Sequence, residues 1–240
     1  MIGLGTIINC IAIVIGGVLG LVFGNLMKER LQEILMTATA LCVLFIGIAG
    51  ALQEMMTVEG SSLSSGGTMM MIASFAIGSL IGELLNLEYH IERFGEWLKA
   101  KSGNSGEAGF VDAFVTASLT VCIGAMAVVG AIQDGMEGDY SILAAKAVLD
   151  LIIILIMTAS MGKGCIFSAI PVAILQGSVT FLAKGIEPIM TEAALSNLSF
   201  VGNMLIFCVG VNLVFENTRI KVANMLPAII IAVAWAFLPF

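Results

Sequence analysis

Charged residues are scarce in this 240-residue chain, at 11%, where an average soluble domain carries about 25%. Basic ones are scarcer still: ten Lys and Arg against seventeen Asp and Glu leave a formal charge of −7. No basic stripe is present to neutralise phosphates, which argues against nucleic acid as a partner. The single histidine is His90, so neither a multi-histidine zinc site nor a Ser-His pair can be assembled with any redundancy. No glycine loop of the phosphate-binding kind precedes a helix. An intramembrane aspartyl protease needs a Gly-x-Gly-Asp setting, and Met136-Glu137-Gly138-Asp139 lacks its first glycine. An enzyme is not expected, nor a cofactor or a resident metal. The five cysteines (Cys10, Cys42, Cys122, Cys165, Cys208) stand singly inside apolar runs, without C-x-x-C spacing, and read as small packed hydrophobes. The first twenty residues lack the basic start and small-residue cleavage site of a signal peptide, and read as a retained helix.

What is present is apolar. Hydrophobic residues make up 59% of the chain, and the mean hydropathy is +1.08. One soluble core cannot hide that much apolar surface, whereas lipid is a solvent for it. A membrane-crossing helix needs about 20 apolar residues. Eight stretches qualify: Leu4–Gly24, Ile34–Leu52, Met69–Leu85, Ala113–Ile132, Ile142–Met161, Cys165–Ala183, Leu198–Phe215 and Val222–Leu238. The last is short and carries Asn224 and Pro227, so seven spans remain open beside eight. Lys28 and Arg30, then Arg93, Lys99 and Lys101, then Lys163, then Arg219 and Lys221 fall in alternate loops, with Lys184 the exception. Cytoplasmic loops hold the excess of Lys and Arg, so eight spans with both ends outside fit best. The chain is expected to be one integral membrane domain over 1–240: an all-α, polytopic bundle of seven or eight spans facing the lipid bilayer.

Loops carry less. Glu59–Gly67 and Gly103–Gly109 read as flexible linkers. Between spans three and four, Ile91, Phe94 and Leu98 recur at helical spacing with Trp97 beside them, the pattern of a short amphipathic helix on the cytoplasmic interface or under the bundle. Internal similarity is visible between FIGIAGALQEMM (45–56) and AMAVVGAIQDGM (125–136), with a fainter third copy at 207–214. Repeat units over about 4–56 and 69–136 are expected, with a fainter third over 165–215; transporters are often built from such duplications.

Ionisable groups inside spans are costly and therefore informative. Lys146 and Asp150 lie four residues apart on the fifth span, on one helical face and within ion-pair reach. They form either a self-neutralising pair or a switchable one that lines a path. Gln133, Asp134, Glu137 and Asp139 lie around a glycine-punctuated turn, where carboxylates and free carbonyls suit a cation at the outer mouth. Otherwise Asp139 simply caps the fifth helix. Gln176-Gly177 and Pro171 point to a kinked or broken sixth helix with backbone open to a cavity near Ser168. Asn9, Asn203, Asn212 and Asn224 read as interhelical glue, and Glu83 as a snorkelling carboxylate. The glycines Gly16, Gly20 and Gly24 form a stripe that packs either inside the bundle or between copies of a homo-oligomer.

The stretch CIGAMAVVGAIQDGMEGD, then AAKAVLD and ASMGKGCIFSAIPVAILQG, together with GLGTIINCIAIVIGGVLGLVFG at the start, resembles a bacterial membrane family called domain of unknown function 554. The resemblance covers the whole chain. It rests most specifically on Gly124, Gln133-Asp134-Gly135, Gly138-Asp139, Lys146, Asp150, Gly162, Gly164, Ser168 and Gln176-Gly177. It implies a multi-pass protein of the bacterial inner membrane and a possible transporter. The function expected is transport of a small solute or ion, by a secondary transporter or channel. Asp150 and Lys146 would serve as the charge pair, Asp134, Asp139 and Gln133 would stand at the mouth, and Gln176 and Ser168 would give polar contacts. The alternative is a non-transporting scaffold or sensor that binds a partner protein through the amphipathic segment.

Overall fold

The computed structural model describes residues 2–26, 28–59, 62–215 and 220–238. Its helices follow the apolar runs, because a backbone in lipid must satisfy its own hydrogen bonds. In chain order they are α1 (Leu4–Leu26), α2 (Glu29–Met55), α3 (Thr68–Leu85), α4 (Leu87–Lys101), α5 (Phe110–Cys122), α6 (Ala125–Glu137) and α7 (Ser141–Met161). A 3₁₀ turn, Lys163–Ser168, leads into α8 (Ala169–Phe181), α9 (Ala183–Ile186), α10 (Glu192–Val214), α11 (Val222–Met225) and α12 (Pro227–Trp235). Among the described residues six helical segments are long and apolar enough to cross a membrane, or seven if α5 and α6 count as one bent span. Ile11, Val18, Phe45, Leu80, Val148 and Ile174 are exposed on these helices. An apolar surface of this extent needs lipid against it.

Three expected elements differ. The fourth span is not continuous: α5 and α6 meet at a 61° bend. Gly124, at φ 147° and ψ 149°, adopts a backbone conformation that side-chain-bearing residues rarely reach. The eighth splits into α11 and α12 before Pro227, which has no N–H to continue the helical ladder. Glu59–Gly67 was expected as a linker, but β1 (Met56–Glu59) and β2 (Ser62–Ser65) pair antiparallel, Val58 opposite Leu63. Gly60 and Ser61 of that segment, like Arg219 of the basic-loop pattern, lie outside the described residues.

Small residues set the helix pairs. Gly16, Gly20 and Gly24 of α1 lie directly against the backbone of Leu151, Leu155 and Ala159 on α7. The numbers rise together, so α1 and α7 run parallel. The glycine stripe is thereby used inside the bundle, where the missing side chains let two backbones touch. Gly47 and Gly50 of α2 meet Phe207 and Asn203 of α10, and Gly78 and Gly82 of α3 meet Ala228 and Asn224; both of these pairs run antiparallel. The amphipathic α4 packs on α5 through Phe94 and Phe114, ring centroids 5.9 Å apart, with Leu98 buried and Trp97 exposed.

Candidate functional site

The centre of the site is α7. Lys146 and Asp150 are 6% and 3% exposed, and Lys146 Nζ donates to Asp150 Oδ2 at 2.5 Å. The same ammonium donates to the Val121 carbonyl at 2.8 Å. That carbonyl is available because α5 ends at Cys122, and the last four carbonyls of a helix have no partner in the helix. The negative end of the helix dipole also favours a cation there. The bend therefore places backbone acceptors in the interior, and Lys146 occupies one of them. Nothing lies within 4 Å of where a Gly124 side chain would begin. Its backbone angle, rather than crowding, is what requires glycine.

Around the pair stand Asn9 and Cys10 of α1 and Cys122 of α5, all close enough to interact with Asp150. Asn9 Nδ2 donates to Gln176 Oε1 of α8 at 3.3 Å, and Gln176 is buried. Ser168 is buried at the end of the 3₁₀ turn and its hydroxyl has no protein partner. Its neighbour Ala169 accepts from Cys10 Sγ at 3.6 Å. Pro171 falls in the first turn of α8, where its missing N–H leaves no gap. The irregular backbone lies before it, in the 3₁₀ turn, not at a proline kink.

The acids near the end of α6 are not gathered in one turn. Asp134 is inside α6 and fully buried, and accepts from Gly3 N at 3.2 Å and Gly5 N at 3.0 Å. It satisfies the free amides that begin α1, where the helix dipole favours a negative charge. Asp139 lies in the open, accepting from the backbone N–H of Ser141 at 2.9 Å and from its hydroxyl; these two bonds hold its carboxyl below the usual carboxylate range. Gln133 and Glu137 line a cavity of about 210 Å³ with Glu187 of the α9–α10 connection. Glu83 is not a lone snorkelling group: it pairs with Lys221 at 2.9 Å and accepts from Asn224 at 2.6 Å.

Two larger cavities flank α5. One, about 510 Å³, is almost wholly apolar and reaches the bend through Ser118, Cys122 and Gly124, opposite Pro171 and Ile230. The other, about 420 Å³, is lined by Glu88, Asp112, Thr116 and Asn212. Leu119 borders both. The sequence did not single out the Val121 carbonyl or place Asn9 at the pair. Their signal was Gly124, a helix breaker inside an apolar run.

Comparison with known proteins identifies the family. A family model described as "Protein of unknown function (DUF554)" matches residues 4–237. An "Uncharacterized membrane protein YdfK" of Bacillus subtilis is 28% identical over 227 residues, covering 95% of this chain and 93% of the relative. An "Uncharacterized protein YqgA" of Escherichia coli is 28% identical over 233 residues, covering 95% and 94%. No solved structure matches.

Proposed function

Because the chain belongs to the DUF554 family of bacterial multi-pass membrane proteins, we propose that it is a membrane transport protein, a secondary transporter or channel for a small solute or ion. The observation that carries this reading is the buried Lys146–Asp150 pair held at the α5–α6 bend. Charge inside a bundle marks a path or relay more often than a brace. Broken helices whose carbonyl ends face the interior are where transporters coordinate their cargo. The apolar cavity reaches the bend at Cys122 and Gly124, and a second, more polar cavity runs along α5 beyond Leu119.

The helix directions support α5 and α6 as one crossing. With α1 and α7 parallel, an odd number of crossings must separate them, and α2, α3 and the bent pair supply three. The antiparallel α2–α10 and α3–α12 pairs obey the same alternation, with α11–α12 as a short eighth return. A duplicated architecture is also part of the reading. Glu54 and Asp134, which coincide when the similar segments are aligned, each serve the start of another long helix: Glu54 accepts from Ser196 of α10 at 2.7 Å, Asp134 from the start of α1. We place the protein in the inner membrane, since bacterial outer-membrane spans are β-barrels.

The test is thermal unfolding of the purified protein in detergent against ions, amino acids and small organic acids. A ligand at 100 times its Kd stabilises the folded state by about 2.7 kcal/mol. A saturable upward shift in the wild type that is absent from Asp150→Asn supports a transport site at the pair. The same shift in both proteins removes the pair from the binding site. The scaffold reading keeps one supporting feature, the exposed Trp97 on α4. It predicts that deleting Trp97's indole, not the charge pair, ends function.

A further inference from the structure

Buried polar atoms without a protein partner line up between α1 and α8. Thr6 Oγ1 and Asn9 Oδ1 on α1, and Gln176 Nε2 and Thr180 Oγ1 on α8, all lack one. All four residues are more than nine-tenths buried. Residues three or four apart share a helical face, so each helix contributes two of these groups to one side. The helices run antiparallel, with Gly17 against Ile166, Cys10 against Ala169 and Asn9 bonded to Gln176. Beyond Thr180, whose carbonyl lies against Gly135, this row of polar groups ends at Asp134 and the start of α1. At its inner end Asn9 faces Asp150. Buried polar groups are nearly always hydrogen-bonded, and those without a protein partner bond ordered water. The three cavities described above are lined by other side chains. The seam accordingly suits single waters and not an organic solute.

We propose that the α1–α8 seam is a hydrated proton route joining the Asp134 end of α6 to the Asp150 carboxylate. This rests on the transport reading and deepens it by naming the proton as an ion that the pair handles. A proton arriving through the seam leaves the last protonated water, whose O–H bond breaks to give neutral water, and forms an O–H bond on Asp150, which becomes neutral. Lys146 keeps its own protons and its bond to the Val121 carbonyl, but loses its counter-charge. A lone buried charge is unfavourable, so protonation pushes the ammonium toward the carbonyl end of α5 and loads the bend. The groups that face the pair are Asn9 and Cys10 from α1 and Cys122 from α5, while α6 brings Asp134 alongside Leu143 and Gly5. The charged residues of α2 (Glu29, Arg30, Glu33 and Glu54) lie near its ends, and Lys163 of the 3₁₀ turn is exposed.

The experiment uses the full chain in vesicles of phosphatidylcholine and phosphatidylglycerol loaded with a pH dye. A potassium gradient with valinomycin drives protons inward. Wild-type vesicles are expected to acidify several-fold faster than protein-free ones. Gln176→Leu and Thr180→Val, which fill the seam with apolar groups, return the rate to the protein-free baseline. In a chain with its native cysteines replaced by alanine, Thr180→Cys reacts with a small water-soluble thiol reagent several-fold faster than the lipid-facing Val18→Cys. Wild-type flux at baseline, flux unchanged in Gln176→Leu, or equal thiol rates would each overturn the proposal. A saturable ligand shift without proton flux would leave the transport reading standing and remove only this one.

Discussion

Lys146 and Asp150 are worth different amounts together and apart. Removing one partner of a buried pair strands the other charge, at a cost of about 3–5 kcal/mol. Replacing both by apolar groups of similar size is often neutral or stabilising. Asp150→Asn is therefore expected to lower the unfolding midpoint clearly, and Lys146→Met with Asp150→Leu to restore it to wild type or above. If the double variant also restores solute uptake, the pair is only a brace; the transport reading requires that uptake stay lost. Asp139 presents a smaller case, because it is exposed. Folding lowers its pKa through Ser141, so its contribution is full above the ordinary carboxylate range and disappears as pH falls through the lowered value. Asp139→Ala should melt slightly below wild type at neutral pH, and the two midpoints should merge in strong acid.

At the scale of elements, glycine does opposite jobs at different places. A methyl at Gly20 would collide with the Leu155 carbonyl and the Thr158 side chain, whereas at Gly177 nothing lies within 4 Å. Gly20→Ala should destabilise by about 1–3 kcal/mol through overpacking. Gly177→Ala should stabilise α8 by roughly 0.4–1 kcal/mol by stiffening the unfolded chain. Equal effects in thermal unfolding would contradict the packing described. The helices themselves were legible, since a run of apolar residues has few other solutions in lipid. The split at Pro227 had a visible cause in the sequence. The bend at Gly124 had only a single glycine in an apolar run to mark it, and the Lys146 that bonds the freed Val121 carbonyl comes from 25 residues further along the chain. The β1–β2 hairpin was no better marked: Met56 and Val58 alternate with polar residues over only four positions, and β2 sets a single Leu63 among serines. At the site, the i, i+4 pair and Gln176 could be read directly. The burial of Asp134 could not, because its partners are backbone amides 129 and 131 residues away.

The whole molecule is organised by direction: parallel α1 and α7, antiparallel α2 and α10, antiparallel α3 and α12. Under the eight-traverse reading proposed above, both ends of the described chain fall on one side of the membrane and Lys99 on the other. Single cysteines introduced at Ile2 and Leu238 should be labelled by an impermeant reagent from the same side, and one at Lys99 from the opposite side. Labelling of Ile2 and Leu238 from opposite sides would reduce the number of traverses to an odd one. The α1–α7 contact also has a consequence for biosynthesis. The ribosome makes about 5–20 residues per second, so α1 enters the bilayer on the order of ten seconds before α7 exists. Through that interval its glycine face has no mate. α1 therefore waits while five further helices are made, as α2 and α3 wait in turn for α10 and α12, and a shortened chain ending before Ser141 should hold α1 in lipid as an orphan, open to quality-control proteolysis.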